Sequence, residues 1–410
     1  MRIFMLTPYL PYPLLSGGQV RTYNLLKKIS EEHDVTLFSL IKHEDEKQYL
    51  PELEKYCRKV RVFKRTSKPW HPRNILLAGL TPYPFVVTRN MVMSVKAAIA
   101  QELSSEEYDL IHVETFYMMP NIPETSIPTL LVEQTIEYLG YEKFSQKITK
   151  QYPFLRPILN IDIAKIKYWE KQYWQSCDQL ITVSEDDRDF IEEVMPNLEN
   201  IAVVSNGVDI QFFEEKKKQL NEHPTVLFVG TFNWLPNVEA VEFLVEEVWP
   251  RIRQAMPEVH LRIAGASPTT KIRKYSENDD HITVTGRVPD IRDEYAQANV
   301  LLAPVFSGKG TRYKVLEAMA TRTPVIGTGI ALEGIGAEPD KEFLLADTAQ
   351  EMADQTVRLL QDKKLQQKLG AAAKNLSNST LGGKVFPKNS WIFIKKQHSN
   401  LWPKNNFLSF

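Results

Sequence analysis

Cysteine is nearly absent, with only Cys57 and Cys177 in 410 residues. Two distant thiols support neither a disulfide framework nor a thiolate metal centre, which suits a reducing compartment. Long apolar runs are missing as well, since none approaches the roughly 20 residues of a spanning helix. The opening MRIFMLTPYLPYP is cut by three prolines, so it reads as a strand entering a loop and not as a signal peptide. Nor is there an excess of one charge: 50 Lys and Arg stand against 51 Asp and Glu. No global field favours nucleic acid, and an anionic ligand has to be held by a local cluster. No Asp-x-Asp stands at an obvious cleft loop, Asp186–Asp187 reading as the start of a surface helix, so no metal is expected. No G-x-G-x-x-G follows the first strand, which argues against a dinucleotide dehydrogenase.

What is there is ordinary globular composition, 43% hydrophobic and 25% charged, at a length that predicts two or three domains. Short β-branched runs (Arg2–Thr7, Asp34–Leu40, Lys59–Phe63, Asp109–Val113, Thr129–Glu133, Gln179–Val183, Ile201–Val204) alternate with segments of helical period. The latter include Gln19–Ser30, Glu44–Cys57, Val92–Leu103 and Ile161–Ser176. After the charged stretch FFEEKKKQLNEHP the pattern restarts with strands from Thr225–Val229 to Glu342–Leu345 and helices such as Val238–Ala255 and Thr311–Ala320. Alternation of this kind predicts parallel sheets covered on both faces. The expected division is an N-terminal domain at 1–215, a linker at 216–224, a C-terminal domain at 225–376 and an atypical tail at 377–410. The tail has five lysines and no acidic residue. Three readings of it stand: a disordered end, a basic aromatic membrane contact, and a truncated or frameshifted terminus.

The most informative stretch is Pro304–Thr328, PVFSGKGTRYKVLEAMATRTPVIGT. Gly308 and Gly310 in the turn let backbone amides approach a ligand, and Thr311 can cap the helix that follows. Free amides and the helix dipole make such an end attractive to a diphosphate. Arg312 and Lys314 in a first turn are unfavourable unless an anion outweighs the repulsion. Glu317, deeper in a buried helix, needs partners such as ribose hydroxyls. A plain reading also exists, in which the glycines shape a turn and Glu317 pairs with Lys314.

GTRYKVLEAMA followed by TPVIGT resembles the donor-binding signature of GT-B glycosyltransferases, specifically glycosyltransferase family 4 (group 1). SGGQVRTYNLL, DLIHVET, DQLITVSEDD, VVSNGVDIQFF, FVGTFNWLPN, LRIAG and TGRVPDIRDEYAQANVLLAPV agree in order and spacing. The resemblance covers roughly residues 1–375 and implies an α/β fold of two tandem Rossmann-like domains facing each other across a cleft. It implies that Arg312 and Lys314 neutralise a nucleotide diphosphate and that Glu317 meets the ribose. Lys309 stands where relatives carry the first glutamate of a pair. Gly286, Arg287 and Val288 resemble the loop at the nucleobase; Gly230 and Thr231 resemble the turn after the first strand of the second domain. Gly17 and Gly18 match a glycine loop over the donor phosphate or acceptor. Glu114 replaces the second histidine of an H-x-H that begins at His112, and Glu137 is the expected acceptor-side carboxylate. Arg312, Lys314 and Glu114 are the expected catalytic groups.

The resemblance further implies sugar transfer with retention, without metal or cofactor, from a nucleotide-diphosphate sugar. The acceptor would be a glycan, a lipid-linked species or a small molecule. The setting would be cell-envelope or exopolysaccharide synthesis, cytoplasmic or peripheral at the inner face of the membrane. A sugar-nucleotide epimerase on the same architecture and a non-catalytic nucleotide-sugar-binding subunit are the alternatives. The aromatic cluster Tyr168, Trp169, Tyr173 and Trp174 is expected to be core.

Overall fold

The computed structural model describes residues 1–68, 71–307 and 312–378. Its strands form two sheets in which every pairing is parallel. The first contains β1 (Arg2–Thr7), β2 (Asp34–Ile41), β3 (Lys59–Lys64), β4 (Leu110–Glu114), β5 (Thr129–Glu133), β6 (Gln179–Thr182) and β7 (Ile201–Val203), in the order β3-β2-β1-β4-β5-β6-β7. The second contains β8 (Thr225–Val229), β9 (His260–Ala264), β10 (Ile282–Gly286), β11 (Val300–Ala303), β12 (Val325–Gly327) and β13 (Leu344–Leu345), in the order β10-β9-β8-β11-β12-β13. This is the expected pair of Rossmann-like sheets. In each, strand order reverses beside the first strand, between β1 and β4 and between β8 and β11. The crevice outside the carboxyl ends at such a reversal is where open α/β sheets bind ligands.

Period-two alternation explains why the strands read as continuous apolar runs. In β1, Phe4 and Leu6 enter one core with Phe38 and Ile111, while Ile3 and Met5 enter the opposite core with Leu37 and Leu110. In β8, Val226 and Phe228 pack on one side and Leu227 on the other. Both faces of both sheets are therefore buried under helices.

Several helices differ from expectation for local reasons. The Glu44–Cys57 segment splits into a tight 3-10 turn at Glu44–Tyr49 and a short helix at Leu50–Leu53, because Pro51 occupies an early helical position where its missing N–H is tolerated. The helix anticipated at Ile161 begins at Arg156, and Glu137–Gln151 adds a helix that the sequence pattern had not marked. Of the aromatic cluster, Trp174 is fully buried, Trp169 stacks between Tyr83 and Tyr173, and Tyr168 is exposed. The polar stretch after β7 begins with a short helix, Ile210–Glu214, whose Phe213 enters the core of the second sheet. Its continuation docks as well: the amides of Gln219 and Asn221 donate to Ala296 and Gln297, and Lys218 Nζ donates to the Tyr295 carbonyl at 2.8 Å. Among the described residues no helix is long and apolar enough to cross a membrane. Residues 379–410, most of the atypical tail, lie outside the described residues.

Candidate functional site

Ser16 caps the helix Gly17–Ser30, accepting from the Gln19 amide, so Gly17 and Gly18 are its first two residues and not a loop before it. A Cβ on Gly18 would lie 2.5 Å from both Tyr9 Oη and Gln134 Oε1, and one on Gly17 would lie 3.0 Å from the Tyr313 ring. The two glycines thus let the helix start press against side chains from both halves of the chain.

At the end of β4, His112 and Glu114 are two residues apart and share a face of the strand, as period two requires. His112 Nε2 lies 2.9 Å from Glu114 Oε1, and Gln134 Nε2 donates to Glu114 Oε2 at 2.6 Å and to Tyr9 Oη at 2.7 Å. Burial alone would raise the Glu114 carboxyl. The hydrogen bond and attraction from His112, then Arg21 and Gln134, outweigh it and hold the group below its usual value. The next residue, Thr115, has φ 69°. A β-branched residue in the left-handed region is strained, and such strain collects at functional sites.

On the opposite side, the helix Tyr313–Ala320 is the next element after β11, separated from it by residues 304–312. Arg312, with extended backbone, takes the cap position expected of Thr311, so Lys314 alone occupies the first turn. Gly308, Lys309, Gly310 and Thr311 lie outside the described residues. Lys314 Nζ donates to Asn237 Oδ1 at 2.9 Å and stands 4.3 Å from the centre of the Phe228 ring. Burial first, then the Arg312 charge, push its amine down to about 7, with Glu317 opposing. Burial likewise lowers the Arg312 guanidinium, with Glu333 opposing. Glu317 does not take Lys314 as its hydrogen-bond partner: Tyr295 Oη donates to its Oε2 at 2.8 Å. Burial raises the Glu317 carboxyl, and the Tyr295 hydrogen bond and Lys314 only partly offset it.

Asn237, which the sequence reading missed, ties the donor-side residues together. Its amide also donates to the Thr231 carbonyl at 2.8 Å, so it links the turn after β8 to Lys314. A side chain on Gly230 would collide with it at 2.8 Å. Gly265 was missed too. Its amide donates to the Gly286 carbonyl, the Gly230 amide donates to Ala264, and its own Cβ would run into the Gly230 carbonyl at φ 150°. Gly230, Gly265 and Gly286 therefore form a continuous bare backbone across the ends of β8, β9 and β10. Arg287 follows as an exposed residue and Val288 as a half-buried one, two strands away from Lys314. The signals were present in FVGTFNWLPN and LRIAG, but nothing in those strings says which residue meets which.

The two halves meet at Asn206. Its side-chain oxygen accepts from Arg21 Nη1 at 2.9 Å and from Tyr313 Oη at 3.0 Å. With Gly17 against Tyr313, the N-termini of two helices and the cations Arg21, Arg312 and Lys314 converge on one crevice between the sheets. Positive helix ends and cations gathered in this way can hold an anion, although the carboxylates that act on the three cations, Glu114, Glu333 and Glu317, equal them in number. Glu137 stands apart, as the first residue of Glu137–Gln151. Burial pushes its carboxyl up to about 7, with Arg89 opposing.

Comparison with known proteins bears on the family and the fold. The family model "Glycosyltransferase Family 4" matches residues 15–212 and "Glycosyl transferases group 1" matches residues 223–362. A protein of Klebsiella pneumoniae described as an uncharacterized 44.6 kDa protein in the cps region is 22% identical over 357 residues, covering 84% of this chain and 87% of that protein. Among solved structures, sucrose-phosphate synthase from Thermosynechococcus elongatus superposes with a TM-score of 0.69 at 16% identity, covering 98% of this chain and all of that one. Anabaena HepE in complex with UDP-glucose gives 0.66 at 16% identity, covering 97% and 100%. S. aureus TarM, solved with UDP, gives 0.68 at 12% identity, covering 97% and 99%. The chain has the GT-B fold and belongs to glycosyltransferase family 4, among the group 1 glycosyltransferases.

Proposed function

We propose that this glycosyltransferase uses a nucleotide-diphosphate sugar and transfers the sugar to an acceptor hydroxyl with retention of configuration and without a metal. Residues 225–376 would hold the donor and residues 1–215 the acceptor. The observation that carries the reading is the convergence of two helix N-termini with Arg312 and Lys314, the latter buried against Phe228 and held by Asn237. The family likeness, and relatives solved with UDP or UDP-glucose, support a diphosphate as that anion.

In this scheme Lys314, Arg312 and the amides of the helix start stabilise the leaving diphosphate. Departure of the nucleoside diphosphate breaks the bond at the anomeric carbon and leaves an oxocarbenium-like sugar. The acceptor hydroxyl attacks from the same face and passes its proton to the leaving phosphate oxygen. Glu114, held ionised by His112 and Gln134, supplies a negative charge beside the developing positive one. Glu317 engages the ribose with the oxygen that Tyr295 does not occupy. The cps-region relative supports cell-envelope or exopolysaccharide synthesis as the setting.

The test is the double substitution Arg312→Ala with Lys314→Ala, assayed for UDP binding and for sugar transfer against a panel of nucleotide sugars. Both should be lost together while the fold persists, and retained transfer would sink the assignment.

A further inference from the structure

A second set of cations lies at the carboxyl end of the first sheet, away from the crevice at Lys314. Ile41 of β2 and Lys64 of β3 are register partners, and the Arg65 amide continues the ladder to the Ile41 carbonyl at 2.9 Å. Lys42 and Arg65 therefore leave adjacent strands side by side. Arg89 joins them from the helix Phe85–Asn90, which is held over the end of β4: Asn121 Nδ2 donates to the Asn90 carbonyl at 3.1 Å.

The cluster is under-neutralised. Arg65 is 8% exposed, and its Nε, like that of Arg89, is buried without a hydrogen-bond partner among the described residues. Burial and then the Arg89 charge push the Arg65 guanidinium down to about 10, with Tyr117 and Glu46 opposing. The Lys42 ammonium, at the exposed rim, is lowered by desolvation and then by Arg65 and Arg89. Two carboxylates act on these cations. Glu46 spends Oε1 on the amides of Lys42 and His43, at 2.7 Å each. Glu137, pushed up to about 7, is only partly ionised at neutral pH. Buried guanidinium N–H groups without acceptors are costly, and three cations against this acidic content leave a positive cradle.

We infer that Lys42, Arg65 and Arg89 bind a phosphate or diphosphate group carried by the acceptor. A guanidinium fork matches phosphate oxygens, and a dianion satisfies both orphaned Nε atoms at once. The inference rests on the donor reading for the word acceptor, but the anion site stands on its own residues. It narrows the acceptor from any hydroxyl compound to a phosphorylated one.

Inorganic pyrophosphate titrated into the full chain, with UDP present to fill the donor crevice, tests it by calorimetry. Arg65→Gln and Arg89→Gln should each weaken pyrophosphate binding by about tenfold or more, the scale of a lost charge-assisted hydrogen bond, and leave UDP binding unchanged. Lys42→Gln, on the exposed rim and harmless to folding, should weaken it less. Unchanged pyrophosphate binding in these variants, or none in the wild-type chain, overturns the inference. If UDP fails to bind the wild-type chain while the pyrophosphate differences persist, the donor reading falls and the cradle remains. A sugar 1-phosphate and a short-chain isoprenyl phosphate, used as competitors, separate a soluble from a lipid-linked source. Displacement by either supports the site, and displacement by neither counts against it.

Discussion

Lys314 shows how one side chain can report on a ligand. Its amine sits at about 7, so the free protein holds it protonated below that value and neutral above. A bound diphosphate favours the protonated form, and binding at higher pH must therefore take up a proton. UDP affinity should hold below about pH 7 and fall as pH rises, toward tenfold per unit. Lys314→Met should flatten that slope, and a pH-independent affinity in the wild-type chain would contradict the assignment. Gly265 is a residue-scale case of a different kind. Its backbone at φ 150° and its approach to the Gly230 carbonyl leave no room for a methyl group. Gly265→Ala should cost about 2–4 kcal/mol in chemical denaturation. A loss below about 0.5 kcal/mol would mean that the loop relaxes freely.

Among the elements, the helix Glu137–Gln151 depends on a residue from its neighbour. Glu170, fully buried in Arg156–Ser176, accepts from the Glu137 amide at 2.7 Å and from the Tyr138 amide at 3.1 Å. Burial pushes the Glu170 carboxyl up, opposed by these two amide hydrogen bonds, and its oxygens satisfy orphan donors at the helix start. Removing it leaves two amides without acceptors, so Glu170→Ala should destabilise the protein by about 2 kcal/mol or more. Hydrogen exchange should accelerate first in the opening turn of Glu137–Gln151, and uniform acceleration along the chain would refute a local role. This helix was not legible in the sequence because its start signal lies 33 residues away. The strands were legible, since each carries its own alternation and both its faces are buried.

For the whole molecule, the joint between the sheets has a polar contact at its centre, Asn206. Asn206 receives Arg21 from one side and Tyr313 from the other, and Gly17 lets the Tyr313 ring close on the first helix. Gly17→Leu should force that ring aside and separate the two helix starts. Turnover should fall at least tenfold by weakening closure, while thermal unfolding moves by only a few degrees. Small-angle scattering with UDP should then show a larger radius than the wild-type complex, and equal radii would argue against the joint.

Sequence alone determined the strands and the reaction class. Parallel α/β sheets follow from local period and alternation, and the resemblance of GTRYKVLEAMA and its companion motifs to family 4 glycosyltransferases carries the reaction class. Tertiary structure decided the partners. It put Asn237 rather than Glu317 on Lys314, Tyr295 on Glu317 and Arg312 at the helix cap, and it drew Lys42, Arg65 and Arg89 together from separate elements. Spacing along a chain constrains only neighbours a few residues apart. Which side chain meets which across 22 to 185 residues depends on sheet order and on the packing of helices over it, and no local pattern encodes either.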